Sequence, residues 1–162
     1  MYSSCTLKIR WKTLLLCLAV PLAAGALSGL LIKDDVRLYG MLTLPAFAPP
    51  AAVFPIVWTA LYLLMGIASY LLFTSECSKR QRANALYLYF LQLGINVVWP
   101  FLFFKLGAFE FSFIWSVILS IAVFLTVFFF FRCRKSAGFL MIPYFLWTLF
   151  ASVLTYSVMK LN

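Results

Sequence analysis

The chain contains no histidine, and its four acids stand against thirteen lysines and arginines. Without an imidazole, histidine general-base catalysis, histidine-ligated haem and most zinc sites are excluded by inventory. The four cysteines show no CxxC and no metal-ligand spacing. They are read as structural or incidental, with Cys5, Cys77 and Cys133 on the cytoplasmic side, where disulfides are disfavoured, and Cys17 inside an apolar run. Charge of either sign is scarce: 10% of the 162 residues are charged and 65% are apolar. A soluble globule of this size is excluded, because so little polar surface cannot cover it.

The charges that do occur are confined to gaps between long apolar runs. Five stretches lack Asp, Glu, Lys and Arg altogether: Thr13–Ile32, Ala51–Phe73, Ala83–Phe104, Phe111–Phe131 and Ala137–Met159. Each is long enough to cross a hydrocarbon core about 30 Å thick. The runs are continuously apolar and do not alternate in short strand-like units, so helices, which satisfy their own backbone polar groups in lipid, are preferred over a barrel. The predicted fold is an all-α membrane protein, a five-transmembrane-helix bundle forming one domain over residues 1–162. Lys8, Arg10, Lys12, Lys79, Arg80, Arg82, Arg132, Arg134 and Lys135 fall on one side, and only Lys33, Arg37, Lys105 and Lys160 on the other. The positive-inside rule then predicts a cytoplasmic N-terminus and an external C-terminus. This placement accounts for the net charge of +9 without a nucleic-acid partner. The first run also has the outline of a signal peptide, but it is longer than a signal core, and its Gly25-x-x-x-Gly29 pair suits a small-residue groove inside a bundle.

One connection is long. Lys33–Pro50, about 18 residues, exceeds the usual loop length, and its apolar, proline-punctuated second half reads as a lid on the external face rather than a linker. Pro21, Pro55, Pro100 and Pro143 fall within four of the five runs, where each is expected to remove a backbone bond and kink its helix. The fourth run has no proline and is rich in phenylalanine, so it is expected to face lipid, with Trp115 as an interface residue.

Because no charge lies within a run, the carboxylate and base relays of ion pumps are missing. What lies there instead are amides and large aromatics at helical spacing. Gln92, Asn96, Trp99 and Phe103 share one face of the third helix; Trp58, Tyr62 and Met65 do so on the second, and Trp147, Phe150, Ala151 and Leu154 on the fifth. Such stripes can glue helices together or line an apolar cavity with a few orienting polar groups. Trp58 and Trp147 fall about 12 to 15 Å into their helices at 1.5 Å per residue, too deep for interfacial anchors.

Three blocks resemble the TspO/MBR family of bacterial tryptophan-rich sensory proteins and mitochondrial translocator proteins. They are Pro45-Ala-Phe47-Ala-Pro49-Pro50 running into Phe54-Pro55-x-Val57-Trp58-Thr59-x-Leu61-Tyr62-x-Leu64-Met65-Gly66; Gln92-Leu93-x-Ile95-Asn96-x-x-Trp99 with Phe103-Phe104; and Ile142-Pro143-Tyr144-Phe145-Leu146-Trp147 with Phe150-Ala151. The likeness covers the whole chain. It implies a five-helix bundle, often dimeric, whose cavity under the first loop accepts porphyrins such as protoporphyrin IX, benzodiazepine-type ligands and, in animal members, cholesterol. Carried over by position, the binding residues would be Trp58, Asn96, Trp99, Trp147, Phe150 and Ala151, with Pro45 and Phe47 in the lid; the spacing argument adds Tyr62. The chain departs from the family at Leu38 and Leu44, where many members carry a tryptophan and a lysine. Leu154-x-Tyr156-x-x-x-Lys160 matches the loose sterol-recognition pattern.

The expected function is thus a membrane receptor or sensor that binds a tetrapyrrole, with Trp58, Trp99 and Trp147 stacking on the macrocycle and Asn96 orienting it. No catalytic residue, metal ligand or required cofactor is assigned. A light-dependent porphyrin-degrading enzyme and a porphyrin or sterol transporter are the alternatives. The lack of an Arg- and Ser-rich leader points to a bacterial cytoplasmic membrane.

Overall fold

The computed structural model describes residues 9–162, so Cys5 and Lys8 lie outside the described residues. Within them, five helices are long and apolar enough to span a bilayer: α1 Trp11–Ile32, α2 Val53–Phe73, α3 Lys79–Pro100, α4 Phe109–Cys133 and α5 Lys135–Leu161. A π-helical turn, Phe101–Lys105, extends α3, and a 3₁₀ helix, Val36–Met41, occupies the long loop. No strand is present among the described residues.

Most of the helices run past their charge-free stretches to take in flanking residues, among them Lys79, Arg132, Lys135 and Lys160. Long basic side chains can do this because they reach back to the interface while their stems cover apolar surface. The start of α3 is fixed by a reciprocal cap: Gln81 N–H donates to Ser78 Oγ at 3.2 Å, and Ser78 N–H to Gln81 Oε1 at 3.1 Å. The turn from α3 into α4 passes through Gly107 at φ 59°, a left-handed conformation that a side chain would oppose.

The prolines act differently from one another. Pro55 sits in the first turn of α2, where its missing N–H has no intrahelical partner to lose, so it removes none of the helical bonds that the expectation of a kink rested on. Pro100 closes α3, and the chain continues as the π-turn, with Leu106 N–H donating to Phe101 O at 3.1 Å. This widened turn swings Phe103 and Phe104 toward the bundle interior.

The expectation for the fourth helix is corrected. α4 does not simply face lipid: it is the most buried of the five, packed along α5 and against α3, whereas α1 is the least buried. Beside Leu119, Val123, Val127 and Phe130, α4 buries Ser112, Ser116, Ser120 and Thr126. Each turns its hydroxyl onto a carbonyl of its own helix, at 2.7 to 3.0 Å, which satisfies the polar group and leaves a small surface for a neighbouring helix. Trp115 likewise is no free interface residue, since its indole N–H donates to Ile95 O of α3 at 2.8 Å.

The centre of the bundle is a buried polar chain inside an apolar core of Met65, Leu72, Tyr89, Val123, Phe130 and Met141. Tyr62 Oη donates to Asn96 Oδ1 at 2.7 Å, Asn96 Nδ2 donates to Tyr144 Oη at 3.2 Å, and Tyr144 Oη donates to Gln92 Oε1 at 2.8 Å. α2, α3 and α5 are thereby tied through side chains alone. The close approach of α1 to α2 depends on Gly66, where an added Cβ would stand 2.8 Å from Leu18 Cα and 2.9 Å from Cys17 O.

Candidate ligand cavity

At the loop end of the bundle the helices part to leave a cavity of about 550 Å³. α1 contributes small residues to its wall, Gly25, Ala26, Ser28 and Gly29, so both glycines of the GxxxG pair border the cavity. Gly25 makes room for a ring, because a Cβ there would land on Tyr62. Gly29 meets nothing within 4 Å.

Four of the residues singled out from the sequence come together here: Trp58 and Tyr62 from α2, and Asn96 and Trp99 from α3. Trp58 stacks on Tyr62 with centroids 5.6 Å apart and planes at 29°, and presents an edge to Tyr144 at 6.1 Å. Trp99 stacks on Phe103 at 5.2 Å and 22°, and its N–H is fixed by Ser112 O at 3.1 Å. Both indoles are therefore held in place before any ligand arrives, which limits the ordering cost of binding. Asn96 is part of the wall, but both ends of its amide are engaged in the buried polar chain, Oδ1 with Tyr62 and Nδ2 with Tyr144, which leaves one N–H and one lone pair over. Among the described residues, no charged side chain lines the space.

The other residues expected to bind, Trp147, Phe150, Ala151, Pro45 and Phe47, are not among those that line this cavity. Trp147 packs on Phe54 at 6.1 Å and on Phe150 at 5.2 Å, and Phe150 meets Phe47 of the loop at 6.2 Å. Phe54 in turn lines the cavity and touches Tyr39 at 5.3 Å. An aromatic string thus runs from α5 through α2 to the loop. The Trp147 N–H is buried without an acceptor. Pro45 forms the turn that carries Phe47, accepting from Ala48 N–H at 2.9 Å, and Ala151 accepts from Thr155 Oγ1 at 2.7 Å.

Tyr39, Phe54, Leu154 and Thr155 also line the cavity. Tyr39 is the loop's fastener. It is 5% exposed, donates to Pro49 O at 2.9 Å, and burial pushes its phenol above the ordinary tyrosine range. Its signal in the sequence was faint: a lone tyrosine in a loop, beside the leucine that departs from the family pattern. A second fastening comes from Asn162, whose side chain accepts from Thr43 N–H at 2.9 Å and donates to Thr43 O at 3.1 Å. The residues of the sterol pattern divide, since Leu154 faces the cavity while Tyr156 packs on Phe113 at 5.2 Å under the Lys160 ammonium.

Fold and site together define a multi-pass membrane protein with an uncharged, aromatic-walled cavity closed by a fastened loop. Comparison with known proteins gives the class its family. The model of the TspO/MBR family matches residues 17–161. The chain is 34% identical over 151 residues to the tryptophan-rich protein TspO of Chlorobaculum tepidum, covering 93% of this chain and 96% of that one. It is 34% identical to the tryptophan-rich sensory protein of Cereibacter sphaeroides, over 94% of this chain and 92% of the relative. To the human translocator protein it is 31% identical, over 80% and 77%. The chain belongs to the TspO/MBR family.

Proposed function

We propose that this protein is a membrane receptor or sensor that binds a tetrapyrrole such as protoporphyrin IX in the cavity between α1, α2 and α3. The observation that carries the reading is the wall itself: Trp58 packed on Tyr62, Trp99 packed on Phe103 and bonded to Ser112 O, and Asn96 as the one amide in the wall. Large fixed ring faces stack well on a flat macrocycle, and the volume of about 550 Å³ falls in the range of small-molecule sites. Trp147, Phe150 and Phe47 act in this reading as the string that holds the loop over the bound ligand. An uncharged wall also suits a sterol, which makes sterol the competitor to test against the porphyrin.

The test is a titration of the purified protein with protoporphyrin IX in darkness, followed by tryptophan fluorescence, and its repetition under light. Saturable quenching with a stable Soret band supports a sensor. Loss of the band with a new product assigns the chain to porphyrin breakdown, and porphyrin crossing sealed liposomes assigns it to transport. Quenching that does not saturate overturns all three. The clustering of Arg10, Lys12, Lys79, Arg80, Arg82, Arg132, Arg134 and Lys135 at one end supports a cytoplasmic N-terminus, and we place the protein in a bacterial cytoplasmic membrane.

A further inference from the structure

At the end of the bundle away from the loop lies a second cavity, of about 660 Å³, with a quite different wall. Three arginines converge on it from separate parts of the chain: Arg10 just ahead of α1, Arg82 in the first turn of α3, and Arg134 at the junction of α4 and α5. Among the described residues that line it there is no carboxylate. Three positive charges lining one space, with no anion in its described wall, repel one another.

The arginines are also positioned. Arg82 Nη2 donates to Ser75 O, and its Nε is buried with no acceptor. Arg134 is steadied by Ser136 Oγ at 3.2 Å and by Thr74 Oγ1 at 3.4 Å. Arg10 is tied through its backbone N–H to Tyr70 Oη at 3.1 Å, which leaves its side chain free of that duty. Tyr70 Oη, accepting there, keeps its own proton to donate. Beside this polar set the wall is apolar, with Ile9, Leu71 and Phe73.

We propose that this pocket binds a phosphate-bearing anion, and that the phosphate belongs to the headgroup of a membrane phospholipid. Guanidinium forks match the oxygen spacing of a phosphate and pair with it through two parallel bonds, which an ammonium cannot do. The apolar part of the wall suits the glycerol and first methylenes of a lipid, and a soluble phosphate has no use for it. The site is separate from the aromatic cavity and does not depend on what that cavity binds.

The test uses the full chain in a neutral detergent, with calorimetric titration by dioctanoyl phosphatidic acid, by dioctanoyl phosphatidylcholine and by inorganic phosphate. Saturable binding of phosphatidic acid, stronger than that of phosphatidylcholine, is expected, and Arg82→Gln and Arg134→Gln should each weaken it about tenfold. Arg10→Gln should do the same while keeping the backbone tie to Tyr70, so the test survives if the other two variants fold poorly. Lys33→Gln and Lys105→Gln, at the opposite end, should leave it unchanged. If inorganic phosphate binds as tightly as phosphatidic acid and responds to the same variants, the pocket is a phosphate site but its ligand is soluble, and the lipid assignment falls. Absence of saturable binding by either probe, or equal binding by all three arginine variants and the wild type, overturns the proposal.

Discussion

Replacing Tyr144 with phenylalanine should destabilise the bundle more than the same replacement at Tyr62, although both remove one hydroxyl from one polar chain. Tyr144 Oη accepts from Asn96 Nδ2 and donates to Gln92 Oε1, and neither Tyr144 nor Gln92 has measurable exposure. Its loss strands a donor and an acceptor together. Gln92 Nε2 already has no partner, so Gln92 would keep no hydrogen bond at all in that chain. Each orphaned buried group costs about 1–3 kcal/mol in soluble proteins, while interhelical bonds in membranes average about 0.6 kcal/mol, so Tyr144→Phe should cost about 1–4 kcal/mol. Tyr62→Phe strands only Asn96 Oδ1, which borders the cavity where water or ligand can replace the lost donor. Its cost should be about 1 kcal/mol or less. The assay is equilibrium unfolding in mixed micelles with rising denaturing detergent, run on both single variants and the double variant. Two results would refute the reasoning: Tyr62→Phe as destabilising as Tyr144→Phe, or a double variant that is the plain sum of the two, since hydroxyls joined through Asn96 must couple.

Two further outcomes follow from the same packing. Gly66→Ala should cost about 1–3 kcal/mol, because its Cβ meets the α1 backbone, whereas Gly29→Ala, with open space around it, should leave unfolding unchanged; the same micelle assay reads both. Cys77 should alkylate at lower pH than an ordinary thiol: burial raises its pKa, but hydrogen bonds with Cys133, Ser75 and Arg82 and the Arg82 charge bring it below the usual range. Arg82→Gln should shift the pH profile of its alkylation upward, as followed by mass spectrometry; an unmoved profile would remove Arg82 as the cause.

The number and type of elements were legible because a charge-free run of that length suits a bilayer and lipid leaves its backbone little choice but a helix. The aromatic spacing of Trp58, Tyr62, Asn96 and Trp99 carried over to the cavity because spacing on a single helix is local. What one helix does not decide was less legible. The fourth helix read as lipid-facing from its phenylalanines, while its serines and Thr126, which take it into the bundle, look unremarkable in a sequence because their hydroxyls bond to their own helix. Whether Trp147 would meet the cavity or Phe54 depended on how α5 is rotated against α2, a tertiary matter. The arginine pocket is assembled from the start of the first helix, the start of the third and the junction before the fifth, and no window along the chain contains it.

The central claim, that the tryptophan-walled cavity holds a tetrapyrrole, is tested most directly by titrating wild type, Trp58→Leu, Asn96→Leu and Trp11→Leu with protoporphyrin IX in darkness. Trp11 is exposed at the far end of α1 and serves as the control. The account predicts saturable quenching in wild type and in Trp11→Leu, and binding about tenfold weaker in Trp58→Leu and Asn96→Leu, the loss of roughly 1.4 kcal/mol expected from one stacking or orienting contact. Saturable binding of equal strength in all four proteins would contradict it, because the porphyrin would then be bound somewhere other than this cavity.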